Sequence, residues 1–213
     1  MRLLSSFLYL LILAIHDATA QEDGRLFTGA LILGANFTQI DGDDYYGYHR
    51  MGLNAGGMAY AHFTPGWGAS MELLYSQKGS RGQTIVDYPG IGRYVSKYYM
   101  KLNYVEVPVM VHYITHKLDM EAGLSYALLL KSDEYVVASQ SVTIDPERNR
   151  FNTTDINGII GISRQAYKNF HLNLRFQYSA LPIRPVERIP AGYVWGTRGQ
   201  FNNMLALRVL YYF

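Results

Sequence analysis

From Phe213 backwards, every second residue is apolar: Phe213, Tyr211, Val209, Leu207 and Leu205. The residues between them, Arg208 and Asn202 included, are mixed and more polar. A two-residue period with one apolar face specifies a strand, because successive side chains leave a strand on opposite sides. An apolar face that ends in Tyr and Phe fits the closing strand of a membrane β-barrel. The rest of the chain is constrained by whether it supplies partners for this strand.

It supplies seven. Residues 170–179 alternate without a break: Phe170, Leu172, Leu174, Phe176 and Tyr178 oppose His171, Asn173, Arg175, Gln177 and Ser179. Residues 118–131 do the same, with Leu118, Met120, Leu124, Leu128 and Leu130 opposite Asp119, Glu121, Ser125 and Lys131. Further strands are predicted over 27–37, 51–63, 67–79, 98–113 and 154–163, and the terminal one over 201–213. Ile32 and Leu74 interrupt the alternation of their strands. A bulge is expected near Asn103, where the parity of the fourth strand blurs, and Pro108 marks a local irregularity because it has no ladder donor. Connections alternate long and short, with long polar loops over 38–50, 80–97, 132–153 and 180–198. That rhythm predicts an all-β fold: an eight-stranded antiparallel transmembrane up-and-down β-barrel, with both termini on the short-turn side.

Alternation alone does not distinguish a membrane barrel from a soluble one with an apolar inside. Three features favour the membrane. The apolar faces carry almost no charge, and aromatics such as Trp67, Tyr113, Phe170 and Tyr178 stand near their ends. The polar faces carry both signs: Glu72, Glu106, Asp119 and Glu121 against Lys78, Lys131, Arg175 and Arg208. An eight-stranded barrel is just wide enough to be filled by its own side chains, so these charges are expected to pair in the lumen and plug it.

Residues 1–20 read as a signal peptide, with Arg2, an apolar run from 3 to 15, and Ala18-Thr19-Ala20 before the cleavage point. Residues 21–213 then form the barrel domain, in a bacterial outer membrane. The chain has no cysteine, which excludes thiolate chemistry and cysteine-ligated metals. Its 19 Tyr suit a molecule with two membrane–water interfaces. A net charge of +2 gives no case for nucleic acid.

Tyr104-Val105-Glu106-Val107-Pro108, after Leu102-Asn103, resembles a strand of the PorT-like outer-membrane β-barrel family. The segments 72–79, 158–161 and 175–179 are similar to that family too, so the resemblance spans nearly all of residues 21–213. It implies a barrel domain rather than an activity, in a family whose best-known members are implicated in protein secretion across the outer membrane.

No cofactor is expected. No pair of histidines has metal-ligand spacing on one strand, and His62, His112 and His171 are expected to face the lumen. The lipid face offers no nucleophile, base and acid set, and Asp41, Asp43, Asp44 and His49 read as a solvated loop. The expectation is a non-enzymatic barrel with a structural or interaction role, such as a component of a protein secretion or assembly system. The alternatives are a small porin or ligand channel and, less favoured, a barrel enzyme acting on lipid or protein. Expected partners are outer-membrane lipids, the barrel-insertion machinery and other envelope or secretion proteins. Tyr211 and Phe213 resemble the terminal signal read during insertion, and Glu72, Glu106, Asp119, Glu121, Arg175 and Arg208 are the expected lumen network.

Overall fold

The computed structural model describes residues 26–88, 92–116, 118–137, 142–145, 147–190 and 198–213. The expected signal peptide lies outside them. Among the described residues nine strands occur: β1 (Phe27–Asp41), β2 (Arg50–Thr64), β3 (Trp67–Tyr88), β4 (Gly92–Thr115), β5 (Leu118–Val137), β6 (Val142–Thr143), β7 (Thr154–Tyr167), β8 (Phe170–Ser179) and β9 (Phe201–Tyr212). The sheet runs β4-β3-β2-β1-β9-β8-β7-β5, and a β4–β5 pairing closes it into a ring of eight antiparallel strands. The short β6 stays outside the ring and, among the described residues, pairs with the far end of β5.

The apolar faces point outward. Leu33, Met71, Leu73, Val109, Leu124, Ile160, Leu172 and Leu207 are all exposed. The polar residues between them are buried, so the lumen is filled. Aromatic pairs stand at both margins of the apolar band: Trp67 against Tyr113 and Phe170 against Tyr211 at the short-turn end, Tyr178 against Phe201 at the other.

Ile32 and Leu74 break their alternation because both face inward. With Ala30, Met58, Tyr60 and Leu210 they form a small apolar cluster inside the barrel. The β4–β5 register shifts between Asn103 and Tyr104, and the β3–β4 pairing skips the stretch opposite Pro108 while its pairing with Ser125 on β5 is kept. The expected loop over 80–97 is corrected. β3 continues to Tyr88 and β4 starts at Gly92, so most of this stretch is a paired hairpin extending beyond β2.

Ring closure depends on β1 pairing with β9, from Ala30↔Tyr212 to Asp41↔Phe201. At this seam Phe213 N–H donates to Gly29 O at 3.0 Å, and the Phe213 ring covers Gly29 so closely that a Cβ there would collide with it. Deleting Phe213 removes this last seam bond and the ring that shields it. The folded fraction in membranes, read by heat-dependent gel mobility, is expected to fall severalfold; a wild-type folded fraction in the truncated chain would sink this assignment.

Candidate functional site

The centre of the lumen holds a four-charge clamp. β3 contributes Glu72, β5 Glu121, β8 Arg175 and β9 Arg208, each at an inward position of its strand. Arg175 grips Glu72 with two bonds, Nη1 to Oε2 at 2.9 Å and Nη2 to Oε1 at 2.8 Å. Its Nε donates to Glu121 Oε1 at 2.8 Å. Arg208 donates to Glu72 Oε2 at 2.9 Å and lies 3.7 Å from Glu121 Oε1. Asn173 links the set, accepting from Arg208 Nε and donating to Glu121 Oε1. Planar guanidinium forks on carboxylates are the geometry best able to offset the cost of burying charge. Gly161 makes room: a Cβ there would run into the Glu121 carboxylate.

A second layer lies farther from the short turns. Lys78 Nζ sits 2.7 Å from Glu106 Oε1 and 3.8 Å from Asp155 Oδ2, and donates to Asn157 Oδ1 at 3.2 Å. Gln177 completes Glu106 with a bond of 3.0 Å to Oε2. Beyond it the lumen turns apolar. Ile40, Tyr98, Met100, Leu102 and Tyr104 pack with Ile144, Phe151 and Ile183 from the long connections. Arg184 fastens this crown: it holds Glu134 with bonds of 2.6 and 2.8 Å, donates to Asn149 O at 2.9 Å, and lies 4.2 Å from the Phe151 ring centroid.

Of the six lumen residues expected from the pattern, Glu72, Glu121, Arg175 and Arg208 meet in the clamp, and Glu106 lies one layer away on Lys78. Asp119 joins neither; it sits at the short-turn mouth and binds His112. Lys131 is corrected: its side chain is 65% exposed and pairs with Asp133. Tyr211 and Phe213 face outward beside the seam. Asp155, Asn173 and Gln177 share the inward parity and were legible as lumen residues, but nothing in the alternation marks them as bridging groups. Arg184 and Glu134 lie where no periodicity signals them.

At the mouth on the long-connection side Asp43, within the 42–49 connection, is buried and accepts from Tyr45 N–H at 3.0 Å. Burial pushes its carboxyl up from 3.8 to about 7, with Asp41 and Asp44 adding repulsion; Ser80 and the Tyr45 N–H oppose this. A raised carboxyl binds its proton more tightly in the docked loop than in the undocked one. The stabilisation is therefore complete below the ordinary value of 3.8 and is lost as pH rises through about 7. Its slope in that window is at most about 1.4 kcal/mol per pH unit. A fluorotyrosine signal from Tyr45 is expected to titrate near neutrality, and Asp43→Asn to abolish the transition; an unchanged titration in that variant would refute the assignment.

At the opposite mouth, Ser70, His112 and Asp119 form a chain. Ser70 Oγ is 2.8 Å from His112 Nε2, and His112 Nδ1 is 3.0 Å from Asp119 Oδ1. The spacing is that of a nucleophile, base and orienting acid. Ser70 and His112 are buried, however, and the Tyr60 ring covers His112 at 4.7 Å. The chain lies inside the barrel, away from both lipid and the outer rim. Among the described residues, no group of three or more His, Asp or Glu side chains is placed to hold a metal ion.

Residues 20–181 match the family described as outer membrane protein beta-barrel domain. The chain belongs to this family. It is an outer-membrane β-barrel protein, and its charged lumen and apolar wall are those of a membrane barrel. A comparison with curated proteins found no match. Among solved structures the chain is similar in fold to Ail, the attachment invasion locus protein of Yersinia pestis, at 12% identity and a TM-score of 0.50, covering 89% of this chain and 100% of that one. Neisserial surface protein A is also matched, at 12% identity and a TM-score of 0.42, over 88% of this chain and 96% of that one.

Proposed function

We propose that this protein is a non-enzymatic barrel of the PorT-like group, acting as a structural or interaction component in protein secretion or envelope assembly. Its termini and short turns stand in the periplasm, and residues 1–20 are a signal peptide removed after Ala20. The crown faces outward and is the part that meets other envelope or secretion proteins; lipids surround the wall, and the insertion machinery handles the chain during biogenesis. The carrying observation is the clamp of Arg175 on Glu72 and Glu121, which occupies the centre of the lumen with fully buried charge. A filled lumen disfavours a porin, and a buried serine disfavours a hydrolase.

Two measurements test the reading. In planar bilayers the purified protein is expected to give no stable conductance, and ohmic steps of water-filled size would overturn the plugged barrel. Mild-detergent capture of the tagged protein from native outer membrane is expected to bring down secretion or assembly components. Recovery of an isolated monomer would overturn the interaction role.

A further inference from the structure

Past the apolar band, on the long-connection side, the outward face of β3, β4 and β5 turns basic. Strand register sets the rows. Tyr75, Val105 and Leu128 form the last row of the band. Gln77, Asn103 and Lys131 form the next, followed by Lys101 beside Asp133. Arg81, Tyr99 and Tyr135 come after these, and then Gln83, Lys97 and Val137. Arg81 lies over the Tyr99 ring at 5.5 Å and Lys101 over the Tyr135 ring at 5.4 Å, and the two rings stack at 5.2 Å. The tyrosines therefore hold these cations against the sheet. Lys131 has a counter-ion in Asp133 at 3.2 Å. Arg81, Lys97 and Lys101 have no acid partner among the described residues. Asp87, farther along the hairpin, is in register with Arg93, and residues 89–91 and 138–141 carry no charge.

Two features select an occupant. The first is one-sidedness. On the opposite wall the outward positions past the apolar band are Gln39, Asp41 and Asn203, and Gln39 and Asn203 both donate to Asp41. The basic surface is a patch, not a girdle. The second is depth. From Asn103 to Lys97, β4 climbs about 20 Å along the strand and about 15 Å along the axis of a tilted barrel. The headgroup layer of an ordinary phospholipid leaflet is only about 5–8 Å deep. Lys101 stands within such a layer; Arg81 and Lys97 stand above it and face anionic groups carried higher.

We propose that this patch holds the phosphates of an anionic glycolipid, a headgroup of several phosphorylated sugars on acyl chains packed against the apolar wall below. Arg81 offers a planar fork to phosphate oxygens, and Lys97 and Lys101 offer point charges above and below it. The proposal rests on the outward orientation of the crown given above, and it names the lipid that this wall meets.

The test uses the full barrel, folded in detergent, with native mass spectrometry to read bound lipid. The probes are rough lipopolysaccharide with a phosphorylated core, the same lipid stripped of phosphate, and lipid A. The phosphorylated lipid is expected to bind about tenfold or more tighter than the stripped one. Lipid A is expected to fall between them, because it lacks the sugars that reach Arg81 and Lys97. The combined variant Arg81→Gln, Lys97→Gln and Lys101→Gln is expected to erase the preference for phosphate. Arg164→Gln with Lys168→Gln, exposed at the short-turn margin, is expected to keep it. Equal binding of phosphorylated and stripped lipid, lipid A bound as tightly as the full lipid, an undiminished preference in the triple variant, or the same loss in the short-turn variant would overturn the proposal. Displacement of the lipid by equimolar inorganic phosphate would assign the patch to a soluble anion and overturn it too. The probe comparison on the wild-type protein stands even where a variant fails to fold. Protease added to intact cells checks the orientation separately. Cutting within residues 144–153 together with equal binding of the probes strikes this proposal alone, whereas uncut connections strike the orientation beneath it.

Discussion

Replacing Arg175 with alanine is expected to lower the unfolding free energy of the barrel by about 3–5 kcal/mol, the cost of removing one partner from a buried ion pair. The size follows from what the side chain holds. Arg175 makes three charge-assisted bonds, two to Glu72 and one to Glu121, and all three residues are buried. Without it, Arg208 alone faces two carboxylates, and one of its contacts spans 3.7 Å. Arg208→Ala is expected to cost less, because Arg175 still bridges both acids. Arg175→Met separates charge from volume. It refills most of the space, so a stability recovered with methionine would assign the loss to a cavity, whereas the ion-pair account expects methionine to be nearly as damaging as alanine. Denaturant midpoints of the barrel in lipid vesicles measure all three. An Arg175→Ala barrel within about 1 kcal/mol of wild type would remove the clamp from any account of stability.

The clamp also shows how far alternation carries. Residues 170–179 alternate without interruption, and β8 has those bounds. Parity places Arg175, Arg208, Glu72 and Glu121 on inward faces. It does not state which of them meet, because that depends on the tilt and stagger of the closed sheet. Glu106 and Glu72 lie on adjacent strands, yet they occupy different layers. The interruptions at Ile32 and Leu74 were informative too: they mark the places where the lumen itself is apolar.

Farther out, alternation loses its meaning. Beyond the lipid band both faces of a strand meet water or other protein, so no contrast between them is imposed. β3 past Gly79 carries Arg81, Gln83 and Thr84 without an apolar face, and it reads as a loop although it is paired to β4 throughout. Tyr98, Met100, Leu102 and Tyr104 reverse the rule outright. They are apolar or aromatic and point inward, where the half of the lumen nearer the long connections is a core closed by those connections. The shift at Asn103 marks where one regime passes into the other on the β5 side.

Arg184→Ala should expose the difference between the two halves. Arg184 comes from a proline-rich connection, not from a strand, and is fully buried. Its guanidinium holds Glu134 of β5, Asn149 O of the connection after β6 and Gln200 Oε1 just before β9, while Tyr98 donates to the same Glu134. Four separate chain segments are therefore fastened through one side chain. Its removal leaves Glu134 buried against Tyr98 with its cation gone, a local penalty of about 3–5 kcal/mol. These bonds reach the barrel strands only at Glu134 and Tyr98, near the long-connection ends of β5 and β4, and none of them involves the clamp. The expected result is local: faster hydrogen exchange and proteolytic cutting across residues 144–153 and 182–190, with an unchanged unfolding midpoint for the barrel. A midpoint shift as large as that of Arg175→Ala would mean that crown and wall unfold as one unit. Unchanged protection of both connections would mean that Phe151, Ile144 and Ile183 hold the crown by apolar packing alone.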